Sequence, residues 1–448
     1  MINLSLPVKL VVIAAWILLA HFLAGAAVGE GPEKLGLFIL ISAAGLWMSE
    51  IVPLPVTALL VPAAAYFSGL MPAADALAPF SSTIIFLFMG GFTLASVLHT
   101  HGIDRRLAAG VLHLGGGHLW LTLIGFMAVV SFLSMWMSNT ATTAMMLPIA
   151  LSLVDEKFPR TRTYIVLGTA YAANIGGLAT IVGSPPNAIA GRALGLDFAA
   201  WLKVGLPVTL VMFPLVLAAL WVVLRPGREN ARIMHAEVET AKWTPRATGA
   251  VALFVCTVIA WVFSSQISRA LGLGRSFDAI VGLTITALAP LFGLVTWPKL
   301  QEHINWGILL LFGGGLCLSV ILKETGTSVW LAQSLLAGLG NAPGWLLVMA
   351  GIALMIFLTE LASNTGSAAI LVPVIYALAQ QFDPAISYAL VFGVGIAATC
   401  AFMLPVATPP NALAYGTGAI RQGQMLRAGL LLNLAAIPLL WAMVTLLA

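Results

Sequence analysis

Two kinds of interruption occur in this chain inside strongly apolar segments, and each occurs twice at nearly one offset. Ser138-Asn139-Thr140 lies within SMWMSNTATTAMMLPIA, residues 134–150, and Ser363-Asn364-Thr365 lies within TELASNTGSAAILVPVI, residues 359–375. Ser184-Pro185-Pro186-Asn187 returns as Thr408-Pro409-Pro410-Asn411, and Gly90-Gly91 returns as Gly314-Gly315. All three pairs share one spacing to within a single position, in the same order along the chain. Three matches in register identify an internal duplication, so any fold must place each interruption twice.

The surroundings of these breaks belong to a membrane protein. The 448 residues are 60% hydrophobic and 8% charged, against roughly 25% charged in a soluble protein. Between Lys203 and Arg225 there is no charge at all, a run long enough to cross a ~30 Å hydrocarbon core as a helix. The first apolar run, Val8 to Val28, lacks a small-residue cleavage pattern and leads into further spans, so it reads as a retained helix. The net charge of +4 comes from basic residues scattered among the spans and describes no nucleic-acid surface. Cys256, Cys317 and Cys400 fall in apolar segments without metal spacing and read as packing residues. His99 and His101 lie near an expected membrane edge, and no H-x-x-x-H pair suggests a metal.

Only closed backbone hydrogen bonding survives in lipid, so the expected architecture is an all-α polytopic membrane protein. Eleven transmembrane helices are expected at 8–28, 35–50, 54–71, 83–100, 163–193, 203–224, 246–267, 278–296, 305–322, 386–416 and 425–447. Two regions, 118–153 and 344–379, are too long for one span and are broken near the middle by Ser-Asn-Thr. Ser and Asn compete for backbone hydrogen bonds and favour helix ends. Each region therefore reads as a re-entrant hairpin with Ser-Asn-Thr at its tip. The prolines at 185–186 and 409–410 break 163–193 and 386–416 in the same way. Interrupted segments at matching positions of two halves mark a transporter's binding site.

The domain plan is an N-terminal helix (1–34), a first repeat (35–224), a solvated cytoplasmic connector (225–245) and a second repeat (246–448). The first repeat divides into scaffold helices 35–112, hairpin 118–153, broken helix 163–193 and helix 203–224. The second divides into scaffold helices 246–335, hairpin 344–379, broken helix 386–416 and helix 425–447. With the N-terminus cytoplasmic, 14 of the 20 Lys and Arg residues fall inside and 6 outside, as the positive-inside rule requires. The C-terminus then lies outside. An odd number of spans separates equivalent points, so the repeats are expected to be inverted, with the two tips approaching each other near the midplane.

None of the four interrupted elements contains a basic residue at its break. A carboxylate there must be held by helix N-termini and by Asn and Thr donors, with Asn139, Thr140, Asn364 and Thr365 the natural choices. Sodium needs neutral oxygens. Ser134, Ser138, Asn139 and the Gly183 carbonyl form one candidate cage; Asn364 with Thr359, Ala362 and Ala407 forms the other. Driving a dianion into a cell at 100 mV, negative inside, costs about 4.6 kcal/mol, which two co-transported Na⁺ cancel. Glu360, four residues before Asn364, reads either as a proton-coupling acid or as one paired locally. Glu50 reads as interfacial.

The paired Ser-Asn-Thr tips, the two Pro-Pro-Asn loops and the duplication resemble the divalent anion/sodium symporters, which carry dicarboxylates, citrate or sulfate. The likeness runs from about residue 35 to 447. It implies a homodimer in the lipid bilayer with 11 transmembrane helices and two re-entrant hairpins, working as an elevator-type transporter. In that mechanism a transport domain slides against a dimeric scaffold. It also implies that Asn139, Thr140, Asn364 and Thr365 hold the substrate, with Ser184, Thr408 and Pro409 along its cavity. Ser134, Ser138, Asn139 and Gly183 belong to the first sodium site, and Thr359, Ala362, Asn364 and Ala407 to the second. One departure is Ser184, where many members carry Thr; the hydroxyl is kept.

The expected activity is Na⁺-coupled symport of a C4-dicarboxylate such as succinate, fumarate or malate, with two or more Na⁺ sites and no organic cofactor. Dicarboxylate exchange and Na⁺-coupled sulfate or citrate transport are the nearest alternatives, and a passive anion channel stands in another class. No catalytic constellation suggests an enzyme. The short loops fit a bacterial inner membrane.

Overall fold

A computed structural model describes residues 5–228, 231, 242–274, 276–339 and 342–447. Most of the expected connector, 229–241, lies outside the described residues apart from Ala231. Every regular element among the described residues is a helix. α1 (Leu6–Val28) precedes α2 (Pro32–Ser49), α3 (Leu54–Phe67), α4 (Ala73–Leu77), α5 (Thr83–Thr100) and α6 (Ile103–Leu114). Then come α7 (Leu119–Ser134), α8 (Asn139–Leu153), α9 (Pro159–Gly176), α10 (Pro185–Ala193) and α11 (Phe198–Leu224). The second half runs α12 (Pro245–Val262), α13 (Ser264–Ala270), α14 (Phe277–Leu291), α15 (Trp297–His303), α16 (Trp306–Glu324) and α17 (Thr327–Leu339). It ends with α18 (Gly344–Leu361), α19 (Asn364–Ala379), α20 (Pro384–Ala397), α21 (Pro409–Gly416) and α22 (Gln422–Leu447). Seven helical segments among the described residues are long and apolar enough to cross a membrane. Several other apolar helices, including α7, α19 and α20, are shorter, because the chain breaks where an unbroken span would continue.

The duplication is structural as well as sequential. From α3 to α11, each helix has a partner from α14 to α22, taken in order and at nearly the offset of the motifs. The two sets interlock. α5 crosses α14 so closely that a Cβ on Gly90 would collide with the backbone of Gly282. α16 crosses α3 with Gly314 against the backbone of Ala58, the same contact with the halves exchanged. That crossing explains Gly90 and Gly314, the first glycine of each pair: neither has room for a side chain against the backbone it meets.

The two broken helices run through the centre. Residues 163–184 and 389–402 are buried without exception. α9 lies against α7, α8 and α11, and α20 against α18, α19 and α22. α10 reaches across to α19 and α20, while α21 reaches across to α8 and α9. Exposed Leu, Val, Ile and Phe side chains cover α1 and much of the outer surface, as expected where lipid replaces water.

The breaks are wider than the proline motifs. α9 stops at Gly176, and the prolines at 185–186 open α10 instead of closing α9. Pro is favoured in the first turn, where its missing N–H has no partner to lose. The second break behaves alike: α20 stops at Ala397, and Pro409 and Pro410 open α21 behind the N-cap Thr408. Two short helices, α6 and α17, were not separated as elements by the sequence reading; each links a scaffold segment to a hairpin.

Candidate transport site

The first tip is a four-residue turn, 135–138, between α7 and α8. Ser138 is the N-cap of α8, its Oγ accepting the Ala141 N–H at 3.2 Å. Across the turn, Ser134 Oγ donates to Asn139 Oδ1 at 2.8 Å. A Cβ on Gly177 would lie 2.5 Å from Asn139 Oδ1 and 3.1 Å from the Gly183 carbonyl oxygen. These two oxygens therefore lie together beside Gly177, where no side chain comes between them. Neutral oxygens gathered in this way suit a small cation.

The second tip repeats the pattern. α18 ends at Leu361, Ala362 is extended, and α19 starts at Asn364 with Ser363 as N-cap. Thr359 Oγ1 lies 2.6 Å from Asn364 Oδ1 and 2.9 Å from the Ala398 carbonyl oxygen, and its single proton serves one of them. Ala407, at the end of the facing break, is buried.

The Asn of each Pro-Pro-Asn motif closes its own break. Asn187 Nδ2 donates to the carbonyls of Gly177 (2.7 Å) and Thr180 (2.8 Å). Asn411 Nδ2 donates to those of Ala401 (3.0 Å) and Leu404 (3.1 Å). The acceptors, too, occupy equivalent positions in the two halves. Buried carbonyls freed by a helix break need such donors.

The halves are joined by polar bonds between these breaks. Asn174 Nδ2 donates to Thr408 Oγ1 and to Asn411 Oδ1, both at 3.3 Å. In exchange, Ser184 Oγ lies 3.3 Å from Thr399 Oγ1. Asn174 and Thr399 occupy equivalent positions, as do Ser184 and Thr408. The structure therefore uses the buried Ser184 and Thr408 hydroxyls to join the halves, whereas Pro409 is exposed.

Thr140 is exposed, beside the half-exposed Asn139. Thr365 lines a cavity of about 270 Å³ with Glu50, the start of α3 at 53–55, Asn305, Gly307, Ile308 and Leu311. Among the described residues no hydrogen bond joins Asn139 to Asn364 or Thr140 to Thr365. Four helix N-termini, those of α8, α10, α19 and α21, begin at the breaks, and no Lys or Arg lies within the breaks. These N-termini supply the N–H groups and positive dipole ends an anion needs.

Sequence reasoning missed Asn174, Thr180, Thr399 and the closing role of Asn187 and Asn411. The signal for Asn187 and Asn411 was their fixed place after the prolines. Thr180, which donates to the Met135 carbonyl, carries no such mark. Thr142 and Ser367, at equivalent positions on α8 and α19, are buried with hydroxyls that find no partner among the described residues.

Comparison with known proteins gives these features a lineage. An uncharacterized transporter of Haemophilus influenzae is 41% identical over 426 residues, covering 92% of each chain. The sodium-dependent dicarboxylate transporter SdcS of Staphylococcus aureus is 30% identical over 432 residues, covering 87% of this chain and 81% of its own. Among solved structures, the YdaH transporter of Alcanivorax borkumensis, described as having an unusual topology, superposes with a TM-score of 0.60 at 13% identity, covering 93% of this chain and 98% of its own. That likeness speaks for the fold. The profile of the citrate transporter family matches residues 44–393. The protein is thus a multi-pass integral membrane transporter and not an enzyme, and it belongs to the citrate transporter family.

Proposed function

We propose that the protein imports a C4-dicarboxylate such as succinate, fumarate or malate, coupled to Na⁺. The observation that carries this reading is the duplicated arrangement of neutral oxygens: Ser134, Asn139 and Gly183 gathered beside Gly177, and Thr359 with Asn364 beside Ala398. Oxygens without a fixed cation hold Na⁺, and the neighbouring helix N-termini with Asn139, Thr140, Asn364 and Thr365 hold carboxylates. The sodium-dependent dicarboxylate transporter of S. aureus supports the same pairing of ion and substrate. Ser138, Ala362 and Ala407 complete the two cages, and Ser184, Thr408 and Pro409 border the substrate space.

The finer architecture of this reading has 11 spans and two re-entrant hairpins, with the repeats inverted. The N-terminus is cytoplasmic and the C-terminus outside, in a bacterial inner membrane. The reciprocal crossings of α5 with α14 and α16 with α3 support a two-fold relation between the halves. Helices α7–α11 and α18–α22 form the moving transport domain, and the others form a scaffold that pairs as a homodimer. Two Na⁺ per dianion cancel the roughly 4.6 kcal/mol imposed by a 100 mV potential.

Uptake of labelled succinate into proteoliposomes tests the reading. An inward Na⁺ gradient is expected to drive accumulation, K⁺ in its place is not, and Asn139→Ala and Asn364→Ala are each expected to abolish it. Flux indifferent to Na⁺ but accelerated by internal succinate would replace symport with exchange. The family match favours citrate as a second substrate reading, and citrate that competes better than succinate would establish it.

A further inference from the structure

We propose that Glu50 hastens substrate release: its carboxylate stands at the cytoplasmic mouth of the second tip and weakens dianion binding at the inner face alone. This rests on the dicarboxylate reading and the topology proposed above. The mouth is the cavity of about 270 Å³ that Thr365 shares with the end of α2 and the starts of α3 and α16. Buried Trp47 brings these elements together. A Cβ on Gly366, next to Thr365, would lie 3.7 Å from both the Cβ and the carbonyl oxygen of Trp47. Trp47 Nε1 also donates to the Leu54 carbonyl at 3.1 Å, tying the turn after α2 to the start of α3. From the other side Asn305 caps α16, its Oδ1 accepting the Ile308 N–H at 3.2 Å.

Glu50 stands where local physics disfavours it twice. It is the C-cap of α2, with φ 47° and ψ 26°, and is one of three residues other than glycine with positive φ among the described residues. The left-handed region suits Gly or Asn, and strain of this kind gathers at functional sites. The C-terminus of a helix is also the negative end of its dipole, the wrong end for an acid. No partner offsets these terms. Glu50 is half-buried, and among the described residues no hydrogen bond or ion pair reaches its side chain. The other acid near this tip, Glu360, is the contrast. Its oxygens accept the N–H groups of Phe402, Met403 and Leu404 and the Asn433 amide, at 2.6–3.1 Å. Those bonds account for Glu360, whereas the charge of Glu50 is left to act on what enters the cavity.

That action is repulsive for a dianion. Among the nine residues lining the cavity Glu50 alone is charged, so no Lys or Arg stands between it and a carboxylate held at Thr365. The repulsion also depends on the position of the tip. Glu50 belongs to the scaffold and Thr365 to the moving domain, and the two share a cavity only while α19 lies against α2. Carried away from α2, the tip escapes the charge. The substrate is therefore held more weakly at the inner face than at the outer one, and it leaves faster where import must deliver it.

The test is the KM for labelled succinate at each face, measured in right-side-out and in inverted membrane vesicles with Na⁺ on the side of the label. The unsubstituted protein is expected to show the higher KM at the cytoplasmic face. Glu50→Gln should lower that KM by about fivefold, as for one charge removed from a partly wet site, and leave the outer-face KM within about twofold. A folded Glu50→Gln protein whose KM shifts at the outer face, at both faces or at neither refutes the proposal. Asn305→Asp supplies the opposite sign. Asp caps a helix as well as Asn does, so the fold is kept while a second negative charge enters the same cavity. The cytoplasmic-face KM should rise by about fivefold, and no rise refutes the proposal even if Glu50→Gln fails to fold. Absence of succinate uptake by the unsubstituted protein in both kinds of vesicle overturns the dicarboxylate reading itself, and this inference with it.

Discussion

Two adjacent glycines show how differently one missing methyl group can act. At Gly177 an added Cβ would lie 2.5 Å from Asn139 Oδ1, the mobile end of a side chain. Gly177→Ala is expected to fold, losing only a few degrees in Tm, while displacing the Asn139 amide from Ser134. Na⁺-dependent uptake should fall at least tenfold, read in the proteoliposome assay. At Gly176 the added atom would meet the backbone carbonyl of Ser131, which cannot step aside. Gly176→Ala should therefore fail as a folding defect, visible as loss of monodisperse protein in size-exclusion chromatography. Some of this scale was legible beforehand. Ser134, Asn139, Thr359 and Asn364 stand out as polar residues at breaks in apolar runs, and the structure joins them pairwise. Glu360 was visible as the one acid beside a tip, but its partners lie 42–73 residues away along the chain. Local sequence carries no trace of such distant donors.

At the scale of elements, helix ends are set by tertiary partners as well as by local chemistry. The prolines announced two breaks, yet α9 stops eight residues before Ser184. The reason is Asn187, which folds back onto the carbonyls of Gly177 and Thr180 and so stabilises a loop that local propensity does not demand. Asn187→Ala and Asn411→Ala should each leave two buried carbonyls without donors, at about 1–3 kcal/mol for an unsatisfied buried group. Both are expected to lower thermal stability measurably, and equal losses would indicate that the two breaks are held equally. A variant that loses no stability would mean that water replaces the amide. α6 and α17 escaped separate notice for another reason. They are short, at 12 and 13 residues, so neither the test for an apolar span nor the test for a break picks them out.

At the scale of the whole molecule, two hydrogen bonds cross from the start of α11 to the segment around α13 and α14. Ser265 Oγ donates to Asp197 Oδ2 at 3.0 Å, and the Phe198 N–H donates to Asp278 Oδ2 at 3.2 Å. If α11 moves and α14 does not, these bonds must break in every cycle. Asp197→Cys with Ser265→Cys, in a background carrying Cys256→Ser, should form a disulfide on oxidation. Uptake should then stop and recover on reduction; a cross-linked protein that transports at full speed would rule out sliding at this boundary. The duplication was legible from three motif pairs, but the exchange of contacts between halves was not. Which helix of one half crosses which helix of the other depends on side-chain shape over distances no motif spans.

The interlocking of α5 with α14 and of α10 with α19 also has a consequence in time. Gly90 meets its partner Gly282 only after the whole stretch between them has been made. At roughly 5–20 residues per second, that interval is on the order of 10–40 s. During it the newborn first half sits in the bilayer with its inter-half surfaces unmade, and Asn174 still lacks Thr408. A first half made without the second therefore lacks these partners altogether, and expressed alone it is expected to be far less stable than the whole chain.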